Sequence, residues 1–283
     1  MRNYDVLDVF TDRPFAGNQL AVVHDAEDLT DRQMQAVAQE FGYSETAFPV
    51  PPTDPAADYR IRIFTPVTEL PFAGHPSIGT AWLLGSRGVL PLGRATQQTA
   101  RGLHRVVVDA DRATLEGDTP VVGDYLDAGP PAAALGLYLS DVDPHAEAGV
   151  AGAGLDFTFL PVRADAVARA APRVDLGEHV VGRGLVAVSF VAGVAHVRMF
   201  RATGGEDPAT GSAALALGVW LADRGLLPGD GRHAVVVRQG EEVGRPSTLD
   251  CLVTVLGGVA THVAVGGRVV PVAQGRIRVP ESS

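Results

Sequence analysis

Two glycine turns carry the first chemical signal in this sequence. Gly74 leads into His75, Pro76 and an apolar helical run, and Gly211 leads into Ser212 and a second such run. A glycine leaves the start of a helix uncovered, with the first N–H groups pointing outward at the positive end of the dipole. Proline suits a first helical position and serine caps well, so Pro76 is expected there and Ser212 at an N-cap. Such ends bind carboxylate or phosphate without a cation. Either turn alone also reads as an ordinary cap, whereas two in equivalent positions point to function.

Beside the turns stand side chains that a cap does not need. His75 follows Gly74 directly, and Glu206-Asp207-Pro208 precedes the second turn, with Pro208 restricting the backbone that presents Asp207. Taken singly, His75 reads equally as a hydrogen-bonded structural residue and Asp207 as a capping acid. Glu45 is a third candidate, in Phe41-Gly42-Tyr43-Ser44-Glu45-Thr46-Ala47-Phe48. It follows a helix stop and opens an apolar strand, where burial would raise its pKa toward that of a general acid/base. Composition alone reads it as an edge-strand carboxylate.

Other chemistries lack their residues. All 23 basic residues are Arg, so there is no lysine for a Schiff base or a P-loop. The single cysteine, Cys251, lies in an apolar strand-like stretch and allows no internal disulfide or Cys-pair chemistry. The eight histidines show no zinc-ligand spacing, and no Gly-x-Gly-x-x-Gly follows a strand. No cofactor and no metal are therefore expected. With 33 acids, a net charge of −10 and no basic run, nucleic acid is not an expected partner. No apolar run of membrane-spanning length occurs, and Asp5 and Asp8 stand where a signal peptide needs an apolar stretch, so a cytoplasmic protein is expected.

The elements that must position these residues repeat. At a constant offset of 137 positions, Gly74/Gly211, Leu84/Leu221, Arg87/Arg224, Gly88/Gly225, Leu90/Leu227 and Pro91/Pro228 are identical, and Arg62-Ile63-Phe64 matches Arg198-Met199-Phe200 with a one-residue shift. Each half reads as strand (57–64 and 192–200), loop, glycine, apolar helix and Arg-Gly stop. The spacing further predicts a helix over 31–41, opened by Thr30 and Gln33 as a capping box and closed by Gly42, and strands at 6–10, 19–23, 103–109 and 234–238. The class is α+β with two similar lobes, residues 1–127 and 128–283. The Gly/Ala/Pro-rich interval 118–153 is read as their connection, with 121–126 and 135–139 as the pieces in it that could be structured. Duplication would let the two helix N-termini face each other across a cleft.

These residues resemble a known family. Arg62-Ile63-Phe64-Thr65-Pro66 with Glu69-Leu70-Pro71-Phe72-Ala73-Gly74-His75-Pro76, then Glu206-Asp207-Pro208-Ala209-Thr210-Gly211-Ser212-Ala213-Ala214, and Gln239-Gly240 with Gly244-Arg245-Pro246-Ser247, are similar to the signature segments of the PhzF family of phenazine biosynthesis. Asp8-Val9-Phe10, Gly17-Asn18 and Ser44-Glu45 match as well, so the resemblance spans nearly the whole chain; Gln19 departs from it where the family often has Pro. The resemblance implies two pseudo-symmetric lobes of the diaminopimelate epimerase-like fold, each a sheet wrapped around a central helix, with the active site in the cleft between them and the last strand able to cross to the first lobe. It implies a homodimer acting on a small-molecule carboxylate. Epimerases and racemases of that fold use two cysteines at the helix-opening turns, where this chain has Ala73 and Thr210.

What the resemblance implies instead is Glu45 as single proton carrier, His75 and Asp207 as substrate-contacting partners, Gly74, Gly211 and Ser212 as a carboxylate cradle, and Ser44 as a further substrate-binding residue. The expected activity is a cofactor-free proton shift and double-bond migration in an unsaturated cyclic amino acid, of the trans-2,3-dihydro-3-hydroxyanthranilate type. Alternatives are a different secondary-metabolite intermediate, such as an unsaturated proline derivative, and a non-catalytic carboxylate-binding relative. Ser77-Ile78-Gly79 resembles a nucleophile elbow only loosely, because His75 occupies the position of its first glycine.

Overall fold

The computed structural model describes residues 1–281. It divides into two compact units, one formed by Met1–Leu115 with the chain from Gly266 onward, the other by Glu116–Val265.

In the first unit, β1 (Arg2–Val9) pairs antiparallel with β2 (Asn18–Val23), and after helix α1 (Asp31–Phe41) strand β3 (Glu45–Val50) runs parallel to β2. β4 (Tyr59–Phe64) pairs antiparallel with β3 and with the short β5 (Glu69–Leu70). Helix α2 (Gly74–Ser86) follows, then β6 (Gly93–Thr99) parallel to β4, β7 (Gly102–Val108) antiparallel to β6, and β8 (Arg112–Glu116) antiparallel to β7. α1 is the predicted helix. Thr30 and Gln33 close a capping box, and Gly42 ends it at φ 66°.

The second unit repeats this order. It contains β9 (Val121–Tyr125), α3 (Gly129–Ala134), β10 (Gly149–Gly152), β11 (Asp156–Pro161), α4 (Ala164–Val167), β12 (Gly184–Val191), β13 (Val194–Arg201), β14 (Glu206–Asp207), α5 (Gly211–Asp223), β15 (Gly231–Gln239) and β16 (Ser247–Leu256). The antiparallel β10–β11, parallel β11–β12, antiparallel β12–β13 and β13–β14, parallel β13–β15 and antiparallel β15–β16 pairings reproduce six of the first unit's pairings one for one. β17 (Val259–Ile277) continues from Gly266 into the first unit and pairs antiparallel with β1.

Each unit is built around its apolar helix. α2 is buried from Gly74 to Leu84 and packs on β1, β2, β3 and β7; α5 is buried from Gly211 to Ala222 and packs on β9, β10, β11 and β16. Helices apolar on every side need such enclosure, and burying one leucine such as Leu215 or Leu221 contributes about 1.5–3 kcal/mol. Gly79 and Gly218 let helix and sheet touch: a Cβ on Gly79 would lie 2.6 Å from Leu20 Cδ2, and one on Gly218 2.6 Å from Val253 Cγ2. Both helices end in the same hydrogen-bonded stop. Gly88 N–H donates to Gly85 and Val89 N–H to Leu84, as Gly225 N–H does to Ala222 and Leu226 N–H to Leu221.

The structure corrects several sequence expectations. The first unit ends at Leu115 rather than at residue 127. The interval 118–153 is no linker: β9 pairs with β10, and Ala132, Ala134, Leu135 and Leu137 are buried with Leu160, Val162 and Leu185. Small apolar side chains there fill a core where composition suggested a connection; of the two pieces that could be structured, 121–126 holds strand β9 and 135–139 is a turn after α3. The N-cap of α5 is Thr210 rather than Ser212, and Pro76 is the third residue of α2 rather than its first. Glu45 does not sit on an edge, since β3 is paired on both sides.

Candidate active site

In the first unit three elements converge on α2. The parallel register sets Glu45 opposite Leu20 at the start of β3, while β2 begins at Asn18 and α2 carries His75 as its second residue. Gly17 supplies the turn before Asn18 at φ 66°, where a Cβ would lie 2.3 Å from the carbonyl oxygen of Val9. Only glycine fits there. The Ser44 hydroxyl donates to Asn18 Oδ1 at 3.2 Å, Asn18 Nδ2 faces His75 Nδ1 at 3.4 Å, and His75 Nε2 faces Glu45 Oε2 at 3.6 Å. The Glu45 and His75 side chains are 15% and 5% exposed, yet neither Glu45 Oε2 nor His75 Nε2 has a hydrogen-bond partner within the protein. Buried polar atoms are ordinarily paired, and unpaired ones cost about 1–3 kcal/mol each. The pair presents a carboxylate oxygen and an imidazole nitrogen side by side at ion-pair distance, with no hydrogen bond between them.

In the second unit Asp207 is buried and fully engaged. Arg201 forms an ion pair with its Oδ1, and the Thr210 hydroxyl donates to Oδ2 at 2.6 Å. Gln239 ties the turn together by donating from Nε2 to the Asp207 carbonyl at 2.7 Å and accepting from Thr210 N–H at 3.1 Å. Ser247 donates to the Pro208 carbonyl at 3.1 Å. Glu206, beside Asp207, is held by Arg198 through two hydrogen bonds of 2.9 and 2.6 Å. Arg62 and Glu69 form the same fork in the first unit at 2.8 and 2.7 Å, and both guanidiniums lie over a phenylalanine, Phe64 or Phe200.

The two helix starts are uncapped. Ala73 and Thr210 are the N-caps, neither makes a side-chain cap hydrogen bond, and no acid occupies either first turn. Thr210 spends its hydroxyl on Asp207. Gly74 and Gly211 do not take a positive φ, so the backbone conformation does not itself demand glycine there.

Of the residues expected from sequence, Ser44, Glu45, Gly74 and His75 come together in the first unit, and Asp207, Gly211 and Ser212 share one turn in the second. The roles of Asn18, Arg201 and Gln239 escaped the sequence reading, although Asn18 and Gln239 lie within the family-like segments. Arg201 gave no signal, since its reach to Asp207 depends on the β13–β14 turn. Cys251 is buried on β16 with its sulfur 3.6 Å from the Ala214 carbonyl, and burial pushes its thiol pKa far up. Among the described residues no cluster of three or more His, Cys, Asp or Glu could hold a metal, and no helix is long and apolar enough to cross a membrane.

Comparison with known proteins identifies the family. Residues 7–275 match the family model PhzC-PhzF, described as phenazine biosynthesis-like protein. An uncharacterized isomerase of Pasteurella multocida is 34% identical, covering 98% of this chain and 94% of its own. The trans-2,3-dihydro-3-hydroxyanthranilate isomerase of Pseudomonas fluorescens is also 34% identical, covering 98% and 99%. A PhzF-family protein of Bacillus anthracis superposes with a TM-score of 0.88 at 25% identity, covering 98% and 99%. The fold is the diaminopimelate epimerase-like α+β fold. The chain belongs to the phenazine biosynthesis-like PhzC-PhzF family and is an isomerase.

Proposed function

We propose that this isomerase moves a proton within a small unsaturated cyclic amino acid, using side chains alone, and that trans-2,3-dihydro-3-hydroxyanthranilate represents the substrate type. The observation that carries the reading is the buried, hydrogen-bond-free facing of Glu45 Oε2 and His75 Nε2 at 3.6 Å. A carboxylate with an uncommitted oxygen can take a proton from carbon and return it, which is general base and general acid catalysis by one group. The carbon–hydrogen electron pair moves into the conjugated system, and the proton comes back on the same face at another ring position. His75 holds a polar group of the substrate. Asp207, fixed by Arg201 and Thr210, contacts the amino or hydroxyl group, with Ser44 as a further contact. The uncapped helix starts at Gly74 and Gly211-Ser212 bind the carboxylate.

The test is incubation with trans-2,3-dihydro-3-hydroxyanthranilate in deuterated water, followed by NMR, for wild type and Glu45→Gln. The variant should fold normally, because Glu45 Oε2 makes no hydrogen bond that the amide would break. Its turnover should fall at least about 100-fold, the loss expected of an acid/base group. Near-normal turnover in the folded variant removes Glu45 from the mechanism. If wild type is inert toward this compound but active on an unsaturated proline derivative, the site chemistry stands and the substrate type changes.

A further inference from the structure

The two nitrogens of His75 have different neighbours, and the neighbours decide which one carries the proton. Nδ1 faces the amide nitrogen of Asn18, a group with hydrogens to give and no lone pair to offer, so Nδ1 is the acceptor. At its other end Asn18 Oδ1 accepts from the Ser44 hydroxyl at 3.2 Å, which agrees with that orientation. Its backbone is fixed by the Gly17 turn, and the residue is almost fully buried. On the far side Nε2 faces the carboxylate oxygen of Glu45. A lone pair on Nε2 would be repelled by that oxygen, and a hydrogen would be attracted. Both sides of the ring favour the same tautomer.

We propose that Asn18, oriented by Ser44, is a positioning residue that locks neutral His75 as the Nε2–H tautomer, so that His75 donates to the substrate and does not accept the proton that Glu45 removes. This rests on the reading of Glu45 as the proton carrier. In the forward step the substrate C–H bond breaks, its electron pair enters the ring's π system and Glu45 becomes the neutral acid. In the return step the same proton forms a new C–H bond and Glu45 becomes the carboxylate again. Meanwhile Nε2 already bears a hydrogen and the Nδ1 lone pair is engaged by Asn18. The imidazole has no open position for the proton, which stays on Glu45 for delivery. Asn18 reaches none of the reacting atoms and acts only through the ring.

The test reads the tautomer directly. Long-range hydrogen–nitrogen correlation spectra of nitrogen-15 histidine-labelled protein, without substrate, distinguish a protonated from an unprotonated ring nitrogen, and the His75 signals are assigned by their loss in His75→Gln. Wild type should show Nε2 protonated and Nδ1 unprotonated at neutral pH. Asn18→Asp puts an acceptor opposite Nδ1 and should convert His75 to a form with Nδ1 protonated; Ser44→Ala should allow Asn18 to turn and give a mixed population. An Nδ1–H tautomer in wild type overturns the proposal, as does an unchanged pattern in a folded Asn18→Asp. If that variant does not fold, the wild-type spectrum still decides. Since no substrate enters the measurement, its failure leaves the role of Glu45 standing, and failure of Glu45→Gln to lose activity leaves the tautomer standing.

Discussion

Arg62 and Arg198 occupy equivalent places in the two units, and replacing each with leucine should separate a partly exposed ion pair from a buried one. Both make a two-bonded fork to a glutamate and both lie over a phenylalanine, so those contributions compare like with like. The surroundings differ. Glu69 is 35% exposed, whereas Glu206 and Arg198 are each 10% exposed. Arg62 also bonds the exposed Asp31 at 2.7 Å, whereas Arg198 donates to the buried-side carbonyls of Ala168 and Ala170; in both arginines the bonded glutamate raises the pKa, so that shift does not separate them. In Arg62→Leu the glutamate rehydrates, and the loss should be about 1 kcal/mol or less. In Arg198→Leu a buried carboxylate loses its partner and two carbonyls lose a donor, for a total of about 3–5 kcal/mol. Urea unfolding followed by tryptophan fluorescence suits the comparison, because Trp82 lies in α2 and Trp220 in α5. Equal losses, or a larger loss for Arg62→Leu, would refute the argument that burial of the glutamate sets the cost.

Three other outcomes are expected. Cys251→Ser should keep full turnover and lose about 1–2 kcal/mol of stability, and the wild-type thiol should react with a thiol reagent only after unfolding, as its raised pKa requires. Asp230 accepts from the N–H groups of Gly257 and Gly258, which lowers its pKa below the ordinary 3.8. Its contribution is present above the unfolded value and lost as pH falls through the lowered one, so thermal unfolding of Asp230→Asn should respond less to acidification below about pH 4 than wild type does. A substrate analogue with a neutral amide in place of the carboxylate should bind wild type much more weakly than the acid by calorimetry; equal affinities would reduce the uncapped helix starts to a structural feature.

What could be read in the sequence was whatever local chemistry determines. The limits of α1 follow from Thr30, Gln33 and Gly42, and the ends of α2 and α5 from Arg87-Gly88 and Arg224-Gly225, because each signal lies within a few residues of the bond it forms. Where the answer depended on distant partners, reading along the chain failed. Ser212 is as good a cap as any serine, but the helix starts two residues earlier than such a cap needs, with its N-cap at Thr210, whose hydroxyl Asp207 recruits. Ala132, Ala134, Leu135 and Leu137 look like loop filler until Leu160 and Val162 arrive from β11 and the residue after it to cover them. The carriers of chemistry were legible through family-like segments, while Arg201 and the role of Asn18 needed the fold.

The duplicated topology also shows which side chains are scaffold and which are specialised. Phe64 opposes Glu69 in the first unit as Phe200 opposes Glu206 in the second, and the arginine fork is kept in both, so that constellation belongs to the architecture of the unit. The neighbouring register position has diverged: Ile63 opposes Leu70, but Met199 opposes Asp207. The helix starts have diverged as well, with Ala73-Gly74-His75 in one and Thr210-Gly211-Ser212 in the other. Leu70 has no polar atom to offer a substrate and Ser212 no imidazole. If both units had kept a titratable group at both places, each could have served as a proton carrier, as a pair of thiols would at the two N-caps. Divergence has left the acid/base candidates, Glu45 and His75, on the first unit and a carboxylate neutralised by Arg201 on the second. A single proton carrier returns what it removes to the face it came from, and that suits migration of a hydrogen around a ring better than inversion at one carbon, which needs a donor on the opposite face.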